Sequence, residues 1–380
     1  MSDTLKKGWR TWRFDQMAYM VNDRIDDPSK ANVEHYVGLE HLDSDSLTIR
    51  RWGSPSDVEA TKLCFRKGDI IFGRRRVYQR KLAVAPFDGI CSAHAMVLRP
   101  KTDVVLPEFL PFFMQSDLFM ERAKQISVGS LSPTINWKTL AAEEFALPPL
   151  DAQRRIAEVL VSGDATCESL KQVAERLLVL RRTMQNDLLF NSARSVRTVL
   201  LSDIAMIDPS DQPLPSDAPF IPMECVDSWE RSVSRFEIRG ERGGIRASKG
   251  DVLMARITPC LENGKIAQVP NHVMRCGGST EFIVFRAKES TDKSYLYWLI
   301  SSDRIRNTAV AMMSGSTGRQ RVAGKDLAGI KITSFKKDQQ ADFGQQIDLV
   351  EMHRKAILAR VLSAQRLQRN LLNGLTGGSS

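Results

Sequence analysis

Leu147–Leu160 reads LPPLDAQRRIAEVL, and no further proline follows before Phe190. Pro148 and Pro149 end whatever precedes them, and Asp151 is a good N-cap. Apolar or small residues then recur at Ile156, Leu160, Gly163, Cys167, Leu170, Ala174 and Leu177. Their alternating steps of four and three are those of a coiled-coil seam. Beyond Leu177 the pattern moves to Leu180, Met184 and Leu188, the phase change of a three-residue stammer. The spacing predicts a first spacer helix over 149–192, roughly 55 to 60 Å long at 1.5 Å per residue. It sits in mid-chain and separates two globular parts. A single stretch of this kind suits an ordinary amphipathic helix equally well; what singles it out is its return at the C-terminus.

A chain of 380 residues is too long for one ordinary core. A net charge of +9 and a pI near 9.3 favour polyanionic partners. The charge is unevenly placed: residues 151–190 are neutral, whereas 191–338 hold 22 basic against 17 acidic residues. Such a distribution fits domains that bind nucleic acid joined by helices that bind protein. Cys64, Cys91, Cys167, Cys225, Cys260 and Cys276 form no CxxC pair and read as reduced thiols. The N-terminus MSDTLKKGWRTWRF lacks the apolar core of a signal peptide, and no window approaches a membrane span. A cytoplasmic protein without membrane contact is therefore expected.

Residues 1–148 mix short strand-like runs, such as IIFG after Lys67-Gly68-Asp69 and the alternating SAHAMVLR from Ser92, with a helical segment over 107–123. Residues 193–337 repeat this grammar. Lys249-Gly250-Asp251 answers Lys67-Gly68-Asp69, STEFIVFR from Ser279 answers SAHAMVLR, and Gly315-Ser316 answers Gly129-Ser130. Lys325 and Leu327 answer Lys138 and Leu140, and Asp338 with Gln340 answers Asp151 with Gln153. Five matches in order, each 182 to 187 residues apart, mark a duplication. A second seam follows over 338–373: Phe343, Ile347, Val350, Ile357, Val361, Ala364 and Leu371, with Arg354 and Gln368 between. The expected fold class is α+β, with two pseudo-repeated domains separated by two long helices that pair as an antiparallel coiled coil. In that arrangement the domains lie at opposite ends of a rod. Ile156, Leu160, Leu170, Leu177, Ile347, Val350, Ile357 and Val361 are the expected seam, and residues 374–380, GLTGGSS, a disordered tail.

Catalytic signatures are missing. No two glycines are separated by a single residue, so the GxG turn of nucleotide and S-adenosylmethionine sites is absent. There is no Asn-Pro-Pro or Asp-Pro-Pro motif with an aromatic after it, and no Asp or Glu followed two residues later by Lys. Gly318 to Lys325 is a poor phosphate loop, its glycines six apart and Asp326 in place of Ser or Thr. His35, His41, His94, His272 and His353 are scattered, and no metal site is expected. The pattern is that of a binding protein without catalytic residues or a cofactor of its own.

Two pairs of loops carry the residues that suit DNA. Arg74, Arg75, Arg76, Arg80 and Lys81 cluster around Tyr78, and the corresponding place in the second half holds Arg256, Thr258, Asn263 and Lys265. Phosphates need cations, and base edges need Arg, Asn or Thr. The Gly-Ser loops supply Ser130, Ser132, Thr134, Asn136 and Lys138 in one half and Ser316, Thr317, Arg319, Gln320, Arg321 and Lys325 in the other. Without the duplication, each basic run reads as a solvated face and each loop as a plain connection. The two sets differ in residue type, so the halves are expected to read different sequences.

With these features together, the chain resembles the DNA-specificity subunit of type I restriction-modification systems over almost its whole length. The marks are LPPLDAQRRIAEVL, the duplicated KGD turns, SVGSLSPTINWKTL and MSGSTGRQRVAGKDL before each helix, and VGLEHLDSDSLTIRRWG near the N-terminus. The resemblance implies two target-recognition domains, each reading one half of a split site in double-stranded DNA. It further implies a helical spacer that docks two methyltransferase subunits, with endonuclease/translocase subunits joining them. S-adenosylmethionine, ATP and magnesium would then belong to those partners. The chain departs from the family at Phe343-Gly344, where an Ile-Ala pair is usual, and at Gly163, where a larger residue is more frequent. Two other readings remain: a coiled-coil scaffold that ignores DNA, and the recognition region of a self-sufficient DNA methyltransferase or nuclease.

Overall fold

The computed structural model describes residues 7–191, 197–233, 235–238, 243–316 and 318–376. The chain divides into two compact units, Met1–Leu170 with Ala359–Ser380 and Lys171–Leu358. The division cuts both long helices.

The first unit opens with β1 (Arg10–Arg13), α1 (Phe14–Met17), β2 (Ala18–Val21), β3 (Arg24–Ile25), β4 (Tyr36–Val37) and β5 (Lys62–Phe65). β6 (Ile70–Gly73), β7 (Leu82–Val84), β8 (Gly89–Cys91) and β9 (Ala95–Pro100) follow. Then come α2 (Leu110–Gln115), α3 (Asp117–Gln125), α4 (Trp137–Ala142) and β10 (Glu144–Leu147), which pairs with β1. Besides that pair, two four-stranded sheets form, in the orders β2-β9-β6-β7 and β3-β5-β8-β4. Alternation along each strand assigns the cores. Ile70, Phe72, Met96 and Leu98 pack with Phe14, Phe109, Phe113 and Phe119 of the helical layer, while Ile71, Ala95 and Val97 pack with Val37, Leu63 and Phe65 of the other sheet. The middle sheet is thus covered on both faces, and β9 is fully buried from Ala95 to Leu98 where its alternation suggested a half-buried strand. The helix expected over 107–123 is broken at Ser116, whose hydroxyl caps α3 by accepting from the Phe119 N–H at 3.2 Å.

α5 (Leu150–Asn186) leaves this unit for the second, where β11 (Arg197–Leu200), α6 (Leu201–Ile204), β12 (Ala205–Ile207), β13 (Pro219–Ile221), β14 (Glu237–Ile238) and β15 (Ile245–Ser248) lead on. β16 (Val252–Ala255), β17 (Ile266–Gln268), β18 (Arg275–Gly278), β19 (Phe282–Ala287), α7 (Lys293–Ile300), α8 (Asp303–Ala311), α9 (Gly324–Leu327) and β20 (Lys331–Ser334) complete it. The sheet β12-β19-β16-β17 has the strand order of β2-β9-β6-β7. In the other sheet β15-β18-β13 answers β5-β8-β4, including its one parallel pair. The halves diverge in the fourth strand: β3 lies beside β5, but β14 lies beside β13.

The repeated motifs do structural work. Gly68 and Gly250 take φ of 89° and 83°, which a β-carbon disfavours. The buried Asp69 and Asp251 that follow accept the N–H of Arg66 (2.7 Å) and Ser248 (2.8 Å) and pair with Arg99 and Arg286. Gln153 and Gln340 bolt each long helix to its domain. Gln153 accepts the Leu106 N–H at 2.9 Å and donates to the Val104 and Pro148 carbonyls at 3.0 Å; Gln340 accepts the Asp292 N–H at 2.9 Å and donates to the Phe335 carbonyl at 2.8 Å. Asp45 and Trp229 occupy a third repeated place, both left-handed, at φ 55° and 66°. The Asp45 carboxylate takes Arg369 at 2.8 Å, and the Trp229 ring takes Arg182 at 5.5 Å. One bracket between loop and helix is therefore built once from a salt bridge and once from a cation–π contact.

α10 (Lys337–Thr376) pairs with α5 in antiparallel fashion. In the first unit Gln368 donates to the Leu160 carbonyl at 3.2 Å while Leu372 packs with Ala157 and Leu160; in the second, Arg181 meets Glu351 at 3.3 Å. Leu160, Ile347 and Val361 of the expected seam are fully buried, and Ile156, Leu170, Leu177, Val350 and Ile357 are half-buried. Two details are corrected. The stammer does not occur: Leu180 is 46% exposed, and burial continues through Cys167, Ala174, Arg181, Gln185 and Leu189. The seam is polar at that point, which hid it from an apolar pattern. Near the C-terminus Leu372, not Leu371, is the buried leucine. α5 ends in a π turn over Asp187–Asn191, and α10 continues through Gly374 to Thr376, so the expected tail is helical at its start; the rest of it, 377–380, lies outside the described residues.

Candidate nucleic-acid interface

In the first unit the β6–β7 and α3–α4 connections form one surface. Arg74, Arg75 and Arg76 leave β6 and enter a short turn over Val77–Gln79, flanked by left-handed Arg76 (φ 56°) and Arg80 (φ 52°). The Gly-Ser loop folds back on itself through paired bonds between Val128 and Thr134, at 3.1 and 2.9 Å, with Gly129 at φ 115°. The two are laced together. Ile135 donates its N–H to the Arg74 carbonyl (3.0 Å) and Arg76 to that of Pro133 (2.8 Å), while the Ser132 hydroxyl accepts from Arg75 (2.8 Å) and Arg76 (3.2 Å). Arg75, Arg76, Tyr78, Ser130, Asn136 and Lys138 are exposed; Arg74, Ser132 and Thr134 are half-buried.

The second unit builds the same junction from other residues. Ser314 and Arg321 exchange backbone bonds of 2.9 Å, with Gly315 at φ 129°. Val322 donates to the Arg256 carbonyl at 3.0 Å, and Thr258 donates its N–H and hydroxyl to the Gln320 carbonyl at 3.1 and 3.2 Å. Asn263, Ser316, Arg319, Arg321 and Lys325 are exposed, and Arg256, Thr258 and Gln320 half-buried. Thr317 lies outside the described residues.

Three of the expected DNA-contacting cations are committed elsewhere. Arg80 is held by Asp45 (2.5 Å), Asp117 (3.1 Å) and the Gln115 carbonyl, Lys81 donates to the Leu39 carbonyl (2.6 Å), and Lys265 to that of Met223 (3.0 Å). They support the loops from beneath. A basic run in sequence does not reveal which of its members face inward.

Sequence reasoning also missed a matched pair. His94 and Glu281 stand at the same place in the repeat, just before β9 and β19, and each flanks the loop junction. His94 lies 3.4 Å from Arg75; burial, and then the charges of Arg75 and Arg74, lower its pKa. Glu281 binds Arg321 at 2.6 Å, and that hydrogen bond holds its carboxyl below the usual range. The signal was present in the aligned SAHAMVLR and STEFIVFR. The Nε atoms of Arg74 and Arg256, again equivalent, are buried with no hydrogen-bond partner among the described residues. Among the described residues, no group of three or more His, Cys, Asp or Glu side chains could hold a metal ion, and no helix is long and apolar enough to cross a membrane. The arrangement is two polar, cationic loop surfaces, each rigidly braced, with side chains suited to phosphates and base edges.

Residues 57–178 match the type I restriction modification DNA specificity domain. The chain is 25% identical over 199 residues to the type I restriction enzyme EcoDI specificity subunit of Escherichia coli, covering 51% of this chain and 44% of that one. It is 27% identical to the EcoEI specificity subunit of the same species, covering 52% of this chain and 35% of that one. The chain thus spans less than half the length of these two relatives. The putative type I restriction enzyme MjaX specificity subunit of Methanocaldococcus jannaschii is 21% identical, with 89% of this chain and 85% of that one covered. The type I restriction-modification S subunit of M. genitalium shares the fold over 99% of both chains, with a TM-score of 0.59 at 14% identity. A chain from a type I R-M system, solved for its complex assembly and conformational transition, does so with a TM-score of 0.57 at 20% identity and the same coverage.

Proposed function

We propose that this chain, which belongs to the specificity-subunit family of type I restriction-modification systems, is a non-catalytic reader of a split, asymmetric site in double-stranded DNA. Each unit reads one half-site. The observation that carries this is the duplicated loop junction, in which Arg74–Arg76 lock onto Ser132–Thr134 in one unit and Arg256–Thr258 onto Gln320–Arg321 in the other. The geometry repeats while the side chains differ, as two readers of unlike sequences require. The paired helices set the gap between half-sites and dock two methyltransferase subunits, which endonuclease/translocase subunits join. S-adenosylmethionine, ATP and magnesium are used by those partners, and the complex works in the cytoplasm.

Salt titration of DNA binding by the full chain tests the reading. A protein neutralising several phosphates loses affinity steeply with salt. Arg75→Ala and Arg76→Ala are each expected to weaken binding across all sequences and to lower the slope of log K against log salt by about 1. Salt-independent binding, or none at all, would contradict the proposal and favour a scaffold.

A further inference from the structure

We infer that Leu131 is a specificity-determining residue that reads a thymine methyl group in the half-site taken by the first unit; this rests on the DNA-reading role proposed above. At 92% exposure Leu131 is the most exposed large apolar side chain among the described residues, and Val128 in the same loop is 73% exposed. An exposed leucine is ordinary on a protein surface. This one stands in the loop between Ser130 and Ser132, and the hydroxyl of Ser132 next to it holds Arg75 and Arg76.

The loop is braced rather than slack. The Val128–Thr134 bonds close its base, and Arg76 to Pro133 and Ile135 to Arg74 tie both flanks to the arginine loop. Leu131 is therefore presented in one place, which a side chain reading a fixed position needs. A folded-back loop two strands wide fits the major groove, about 12 Å across, and not the minor groove of about 6 Å. In the major groove the base pairs offer a single apolar group, the thymine methyl. Flanking serines fit beside either strand's donors and acceptors, and the two arginines lie close enough to neutralise adjacent phosphates. The corresponding stretch of the second half reads Thr317-Gly318, with no apolar residue. The contact thus belongs to one half-site only, and the two readers differ in kind of recognition as well as in residues.

The test replaces thymines of the split site, one at a time, with deoxyuridine, which removes only the methyl group. Binding to the full chain is measured by fluorescence anisotropy, for the natural sequence and for Leu131→Ala. Because the side chain is so exposed, the substitution leaves folding intact, which circular dichroism checks. For the natural sequence, one thymine in one half-site is expected to weaken binding about fourfold on losing its methyl, the worth of one buried methyl-sized group. For Leu131→Ala, the same replacement is expected to have no effect. If the deoxyuridine penalty is the same in both proteins, or no thymine shows one, the inference is overturned while DNA reading stands. Loss of methyltransferase association by Leu131→Ala, with discrimination at every base unchanged, would also overturn it and assign the loop to a protein contact. If the natural sequence binds no duplex selectively, the DNA-reading proposal itself falls, and this inference with it.

Discussion

Gly163 and Gly344 look alike in the sequence, each a weak point in a helix, yet their surroundings differ. A β-carbon at Gly163 would come within 2.4 Å of the Gln368 Nε2, the free end of a flexible side chain that reaches the Leu160 carbonyl through the space glycine leaves. At Gly344 it would come within 3.0 Å of the Ser294 β-carbon and the Tyr295 backbone nitrogen. Those atoms cannot retreat, because Asp292 caps the first turn of α7 and the Ser294 hydroxyl donates to Asp348 at 2.7 Å. Alanine gains about 1 kcal/mol over glycine inside a helix. Gly163→Ala is expected to exchange that gain for a hydrogen bond of similar worth, leaving stability within about 0.5 kcal/mol. Gly344→Ala must move α7 and is expected to lose about 1 to 2 kcal/mol. Urea unfolding separates the two, and equal stabilities would show that α10 does not approach α7 so closely. Neither reason was legible in the sequence, since the neighbours that decide lie some 50 and 205 residues away in the chain. Asp-x-Gln was legible as a repeated motif; its use as a bolt, with Gln153 and Gln340 saturating backbone groups of the adjoining domain, was not, because Leu106 and Asp292 lie about 50 residues earlier in the chain.

The helix pair was legible where its seam is apolar and misread where it is polar. Hydrophobic spacing located Leu160, Ile347 and Val361, then followed Leu180 outward because Arg181 does not register as a core residue. Arg181 is nonetheless buried, lies 5.4 Å from the Trp298 ring, and shares Glu351 with Arg354. Burial opposes ionisation of Glu351, but the Arg354 hydrogen bond and the charges of Arg181 and Arg354 outweigh it, and its pKa is lowered. A carboxylate with a depressed pKa contributes stability at pH values above its unfolded pKa of about 4.3, and loses it as the pH falls through the folded value. Glu351→Gln leaves the buried Arg181 without its counter-charge and the half-buried Arg354 with Glu230 alone, at 3.5 Å, and is expected to cost about 3 kcal/mol at pH 7. That difference should shrink as the pH falls below about 4. Chemical denaturation of both proteins from pH 7 to pH 3 provides the check; a cost independent of pH would mean that shape, not charge, holds this layer.

At the scale of the molecule, the duplication was the most legible feature, because the KGD turns, the Gly-Ser loops and the Asp-x-Gln starts are local motifs at one spacing. What the sequence could not show is that the β6–β7 and α3–α4 connections of each unit merge into one surface, or that Arg80, Lys81 and Lys265 turn away from it. Those facts depend on backbone bonds between residues some 60 positions apart, such as Arg76 to Pro133 and Thr258 to Gln320. The divergent loop residues on a shared frame lead to one expectation about the whole chain: two unlike recognition sequences held at a constant separation. The most direct measurement is genome-wide sequencing of DNA methylation in cells that express this chain with the methyltransferase proposed to dock on it. A single motif with two unlike halves and a fixed gap is the predicted result. Methylation at an uninterrupted motif, or none in cells where the two proteins form a complex, would contradict the two-reader account.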